Sequence, residues 1–186
     1  MNRTYSYLTS MVFMVMALVV LLNPAEGKAT WYWTHGHSGH VEDSVNTPTL
    51  SVLAAGLSIS QSMNGTYNWV HFAVPTPGDP SYQAQYIKVI FDFTPCINSK
   101  ISAIHVYDGG IKVKEFTFAS SACGSNVLTL DLGSPRSFSQ GLGVSAKVDF
   151  GVDSGMDMFI FRSVGADFQN TSGGANFYVI PVVPRP

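Results

Sequence analysis

The chain has 186 residues with 12 acidic and 10 basic side chains, a formal net charge of −2, and only 12% of its residues are charged. No basic run tracks a phosphate backbone, so nucleic acid is not an expected partner. No Lys/Arg-rich amphipathic stretch is present either, so surface binding to a membrane is not expected.

The N-terminus reads as an export signal. Arg3 supplies a weakly positive start, and residues 11–22 (MVFMVMALVVLL) form an unbroken apolar run. That run is about a dozen residues, short of the roughly 20 that a spanning helix needs. Pro24 ends any helix, and Ala25 and Gly27 are the small residues of a cleavage site. Cleavage is expected after Gly27, with an uncleaved N-terminal anchor as the alternative. The expected organisation is a signal peptide at 1–27 and one secreted domain at 28–186, extracellular or periplasmic, with no later membrane span.

The rest of the chain reads as all-β. Strands are expected at 31–34, 50–60, 67–74, 86–93, 101–107, 111–118, 127–132, 142–150, 158–165 and 176–183. Ile87, Val89, Phe91 and Phe93 alternate with Lys88 and Asp92, the pattern of a half-buried strand. The alternation slips midway through 111–118, which predicts a bulge. Asp108-Gly109-Gly110 is a hairpin signal. Three prolines between residues 75 and 80 mark a stiff connection, and three more at 181–186 mark a proline-rich tail. Ten short antiparallel strands predict a single two-sheet, jelly-roll-like β-sandwich.

Cys96 and Cys123 are the only cysteines. In an exported chain an even count favours a disulfide. The hairpin about Gly109-Gly110 would place the two roughly opposite each other; two buried free thiols are the alternative.

Several short motifs occur in order: Trp33-Thr34-His35-Gly36, Asn68-Trp69-Val70-His71-Phe72 with Pro75-Thr76-Pro77, His105-Val106-Tyr107-Asp108-Gly109, Gly141-Leu142-Gly143-Val144-Ser145 and Ser163-Val164-Gly165-Ala166-Asp167-Phe168. Their order and spacing resemble a bacterial domain-of-unknown-function family of small all-β proteins over residues 31–168. The resemblance implies a fold unit and no mechanism. The cysteine pair and the proline-rich tail depart from the family pattern.

Three constellations carry candidate chemistry. His35, His37 and His40 lie within six residues, and Glu42 or Asp43 adds an oxygen; such a set suits Zn²⁺ or Cu²⁺. Glycine-rich histidine loops are more often simply solvated. Trp31, Trp33, Trp69, His71 and Tyr82 are candidate ligand-binding residues, because aromatic rings on a rigid sheet stack on sugar rings. The opposing reading puts these rings in the core. Asp149, Asp153 and Asp157 are spaced for a weak Ca²⁺ site, although the spacing does not match an EF-hand loop.

No catalytic motif survives. The G-x-G-x-x-A at residues 141–146 lies in a strand pattern without the helix a phosphate site requires. Three functions from different classes are therefore carried forward. The first is a non-enzymatic secreted binding module, with carbohydrate as its ligand. The second is an envelope or matrix assembly protein that self-associates through its C-terminal strand. The third is a metal-binding protein or metalloenzyme built on the histidine loop.

Overall fold

The computed structural model describes residues 29–44, 49–60, 65–94, 98–151 and 157–172. The sandwich is the compact unit Ala29–Asn170. Its strands are β1 (Thr30–His35), β2 (His40–Val41), β3 (Thr49–Leu53), β4 (Gly56–Ser60), β5 (Tyr67–Val74), β6 (Tyr82–Thr94), β7 (Lys100–Asp108), β8 (Ile111–Thr117), β9 (Gly124–Arg136), β10 (Leu142–Asp149) and β11 (Met158–Asn170). One sheet runs β3-β4-β11-β6-β9, with β1 also on β11; the other runs β2-β5-β10-β7-β8. Every pairing is antiparallel. Among the described strands only β3–β4 and β7–β8 are hairpins, and the other consecutive strands lie in different sheets. This is the expected two-sheet sandwich.

The boundaries depart from expectation in instructive ways. The segment 50–60 is two strands, because Ala54-Ala55 turns the chain back on itself and Leu53 pairs with Gly56. The two-residue β2 carries too little pattern to be seen in sequence. β6, β9 and β11 run to 13 residues each, longer than expected. The bulge in β8 is present: the β7–β8 register shifts between Val106 and Tyr107, which skips Val113. The Asp108–Ile111 pair closes a two-residue turn in which Gly109 has φ +56°. Residues 1–27, the segment 176–183 and the proline-rich tail lie outside the described residues, as does Cys96. Among the described residues no helix is long and apolar enough to cross a membrane.

β11 organises the six-stranded sheet. One of its edges pairs with β6 along almost its whole length. The other edge carries two strands end to end: β4 pairs with Met158–Phe161, and β1 pairs with residues 163–168. They meet at Arg162, where the turn at Gly36–Ser38 leaves β1. The seam is so close that a Cβ on Gly36 would lie 1.7 Å from the Phe161 carbonyl oxygen, and one on Gly56 would lie 2.0 Å from the same atom. Gly56 also has φ +144°, which side chains rarely adopt.

Phenylalanines dominate the space between the sheets. Phe93 and Phe159 stack with ring centroids 4.2 Å apart, and Phe91, Phe161 and Phe72 continue the cluster. All five are buried. Asp157 is also fully buried, and it accepts the backbone N–H groups of Asn98 and Ser99.

Candidate functional site

β5 alternates strictly. Asn68, Val70, Phe72 and Val74 are buried; Tyr67, Trp69, His71 and Ala73 lie on the outer face. β10 sets Asp149, Lys147 and Ser145 beside Tyr67, Trp69 and His71. Beyond it, β7 sets His105 beside Ser145, and β8 sets Glu115 beside His105. The outer face of the five-stranded sheet is therefore tiled with aromatic, hydroxyl and charged groups drawn from four strands.

A chain of hydrogen bonds holds one end of this face. Lys112 Nζ lies 2.5 Å from Glu115 Oε2, which lies 3.3 Å from His105 Nε2; His105 Nδ1 is 3.2 Å from the Tyr107 hydroxyl. Burial, and then the charge of Lys112, push the His105 imidazole below its ordinary value, although Glu115 pulls the other way. The hydrogen bond from Lys112 holds the Glu115 carboxyl below the usual range. A carboxylate only accepts, so neutral His105 donates from Nε2, and Nδ1 takes the tyrosine proton. Trp69 packs on this fixed ring with centroids 4.5 Å apart.

This arrangement has a pH consequence. His105 is expected to titrate below its unfolded value of about 6.5, so stability is fully present above that pH. It falls as pH drops from there to the folded value, because the unfolded chain takes up the proton first. Proton NMR of the imidazole should show the low midpoint, and Glu115→Gln should lower it further. A midpoint above 6.5 in the folded protein would mean that Glu115 outweighs burial and Lys112, and would overturn this expectation.

Tyr67 and Trp69 form a ridge. Tyr67 is 55% exposed, with Lys147 Nζ 4.3 Å above its ring and held 3.1 Å from Asp149 Oδ1. A recess of about 410 Å³ lies on one flank, lined by Glu42, Asp43, Thr66 and the two rings. A second, of about 500 Å³, lies on the other, lined by Ser102, His105, Glu115, Thr117, Lys147 and Asp149 beside the same rings. Asn68 builds the wall of the first. Its buried amide accepts from the N–H groups of Asp43 and Trp69 and donates to the Asp43 carbonyl, and Glu42 N–H donates to the Trp69 carbonyl. A third recess, of about 440 Å³, continues past His71, His40 and Gly143.

His71 Nδ1 lies 2.7 Å from Ser145 Oγ, and His71 Nε2 lies 3.6 Å from Glu42 Oε2. Serine, histidine and acid invite comparison with a hydrolase. Ser145, however, sits in the middle of β10, which is paired on both sides. Its backbone N–H groups serve the ladders, so this strand offers no donor pair for an oxyanion.

The structure separates the candidate residues named from sequence. Trp69 and His71 share the face just described. Trp31 and Trp33 lie on the opposite surface of the sandwich, on the outer face of the six-stranded sheet, stacked on each other at 5.3 Å. Tyr82 packs against the core and lines a separate recess at the Thr76–Pro80 turn. The three-histidine metal site is not assembled. His35 Nδ1 accepts from His37 N–H, His37 Nε2 contacts the Leu53 carbonyl, and His40 is carried away onto β2 opposite His71. Among the described residues no group of three or more His, Cys, Asp or Glu is placed to hold one ion. Asp149 pairs with Lys147, Asp157 caps backbone N–H groups, and Asp153 lies outside the described residues.

Tyr67, Tyr107, Glu115, Lys147 and Lys88 are not singled out by the sequence. Tyr67 was legible, since it stands two residues before Trp69 on the same strand face. The others depend on cross-strand register, which no local pattern reports.

No family model matches the chain, and no curated protein matches it. Among solved structures it is similar to a low-affinity xylan-binding module from Roseburia intestinalis, at 12% identity and TM-score 0.47, covering 78% of this chain and 99% of that one. It is also similar to the C-terminal family 6 carbohydrate-binding module of a marine laminarinase from Zobellia galactanivorans, at 9% identity and TM-score 0.45, covering 74% and 99%. A third is a family 36 carbohydrate-binding module in complex with calcium and xylotriose, at 14% identity and TM-score 0.39, covering 74% and 98%.

Proposed function

We propose that the chain is an exported, non-enzymatic binding module for a neutral polysaccharide, and that the outer face of the five-stranded sheet is its binding face. The observation that carries this reading is the Tyr67–Trp69 ridge flanked on both sides by recesses lined with hydrogen-bonding groups. A sugar ring has an apolar face and a rim of hydroxyls. An aromatic ring with polar groups beside it matches both, and the His105 network fixes the indole before any ligand arrives. Both recesses fall within the size range of small-molecule sites.

Affinity electrophoresis of the purified protein through gels holding barley β-glucan, xylan or galactan tests this. Retardation by at least one is expected. Trp69→Ala should weaken it about 30-fold, the loss of a central aromatic anchor, with an unchanged circular dichroism spectrum. A folded protein retarded by none of the three, or a Trp69→Ala variant that binds as the parent does, would overturn the reading.

A further inference from the structure

The opposite surface carries a second cluster of aromatic and charged groups, separate from the Tyr67–Trp69 face. Trp31 and Trp33 stack on the outer face of the six-stranded sheet, and Trp33 is 40% exposed. Gly165 pairs with Trp33 on one side and with Lys88 on the other. Because it has no side chain, Trp33 lies down onto the sheet there; a Cβ would come within 2.4 Å of the indole. Lys88 Nζ then sits 4.3 Å from the centre of the Trp31 ring. Among the described residues no carboxylate lies within ion-pair distance of Lys88.

The described acids of this face each bind other donors. Asp167, opposite Trp31, is buried and accepts the backbone N–H groups of Gln85 and Tyr86. Asp92 is bound by Arg162 and Ser125, and Asp131 accepts from Gln85 and the Gly133 N–H. Among the described residues, the surface therefore presents an indole pair beside an ammonium that no carboxylate pairs.

We infer that this face binds an anionic polysaccharide, with the Trp33 indole against the apolar face of a sugar ring and Lys88 on its carboxylate or sulfate. An ammonium over a ring gains little from the ring alone at an exposed site, whereas a charge-assisted hydrogen bond to an anion is roughly twice as strong as a neutral one. The inference uses no residue of the Tyr67–Trp69 face. If both readings hold, one domain engages two glycan chains on opposite sides.

The test runs the full protein through gels holding polygalacturonate, dextran sulfate or barley β-glucan. Retardation by polygalacturonate or dextran sulfate is expected, weakening as salt is added, and the one that binds identifies the anion. Lys88→Met should weaken that retardation about tenfold or more, and Trp33→Ala should remove it. Trp69→Ala should leave it unchanged. The inference is overturned if neither anionic polymer retards the protein, if Lys88→Met binds them as the parent does, or if Trp69→Ala abolishes their binding. Retardation by β-glucan alone would sink this inference and leave the neutral-glycan reading standing. Retardation by an anionic polymer alone, surviving Trp69→Ala, would do the reverse.

Discussion

Gly36→Ala is expected to destabilise the sandwich by about 4 kcal/mol or more, a large share of the stability of a domain of this size. The new methyl group would start 1.7 Å from the Phe161 carbonyl oxygen and 3.1 Å from that of Arg162. Both neighbours are backbone of β11, the strand held by β6 on its other edge. No rotamer change relieves the contact, so β1 must lift away from β11 or the turn at Gly36–Ser38 must unwind. Gly78→Ala is the control: nothing lies within 4 Å of the added atom, and its φ is not positive. It should shift stability by no more than about 0.5 kcal/mol. Urea unfolding of the two variants beside the parent decides the matter. Equal midpoints would mean that the seam between β1, β4 and β11 is looser than its geometry states.

The second large effect concerns Cys123. It is not a free thiol, and it stands immediately before Gly124, which pairs with Phe93 near the end of β6. Cys96 follows Phe93 by three residues in sequence and lies outside the described residues. We propose a Cys96–Cys123 disulfide. Closing a loop of that length is worth about 3–4 kcal/mol in the chain-entropy model. Protein recovered from the medium or periplasm should begin at Lys28 and weigh two hydrogens less than its reduced form. Cys123→Ser should lower the unfolding free energy by about 3–4 kcal/mol. An exported chain with two alkylatable thiols, or a serine variant as stable as the parent, would refute the bridge. Retention of residues 1–27 would refute the cleaved signal.

The proposed disulfide also shows how a sequence argument and the fold can point to one contact by different routes. The Asp108-Gly109-Gly110 turn pointed to a β7–β8 hairpin, and the hairpin exists. Its ladder is interrupted by the bulge at Val113, so counting outward from the turn does not hold register. The approach of Cys123 to the end of β6 comes instead from the β6–β9 pairing in the other sheet. That pairing joins strands more than thirty residues apart.

The candidate sites divide in the same way. Trp69 and His71 were legible because they alternate on one strand, and period-2 patterning reports which residues share a face. Trp31 and Trp33 were legible for the same reason, on another strand. Whether the two pairs share a surface depends on which sheet each strand joins, and the crossing connections put them on opposite sides. In the histidine loop, His35 and His37 stay together, with ring centroids 4.2 Å apart, and His40 is separated from them. The turn at Gly36–Ser38 bonds His37 N–H to His35 Nδ1, and the chain then carries His40 into the other sheet.

By itself, then, the sequence determined the β class, most strand positions, the inward and outward faces and the main turns, since these follow from side-chain alternation and from the backbone demands of glycine and proline. Tertiary structure alone decided the partners. Trp69 meets His105, Lys88 meets Trp31, and Gly36 meets Phe161 because antiparallel register aligns residues far apart in the chain. Register is set by the simultaneous packing of both inner faces, and no single segment contains that information.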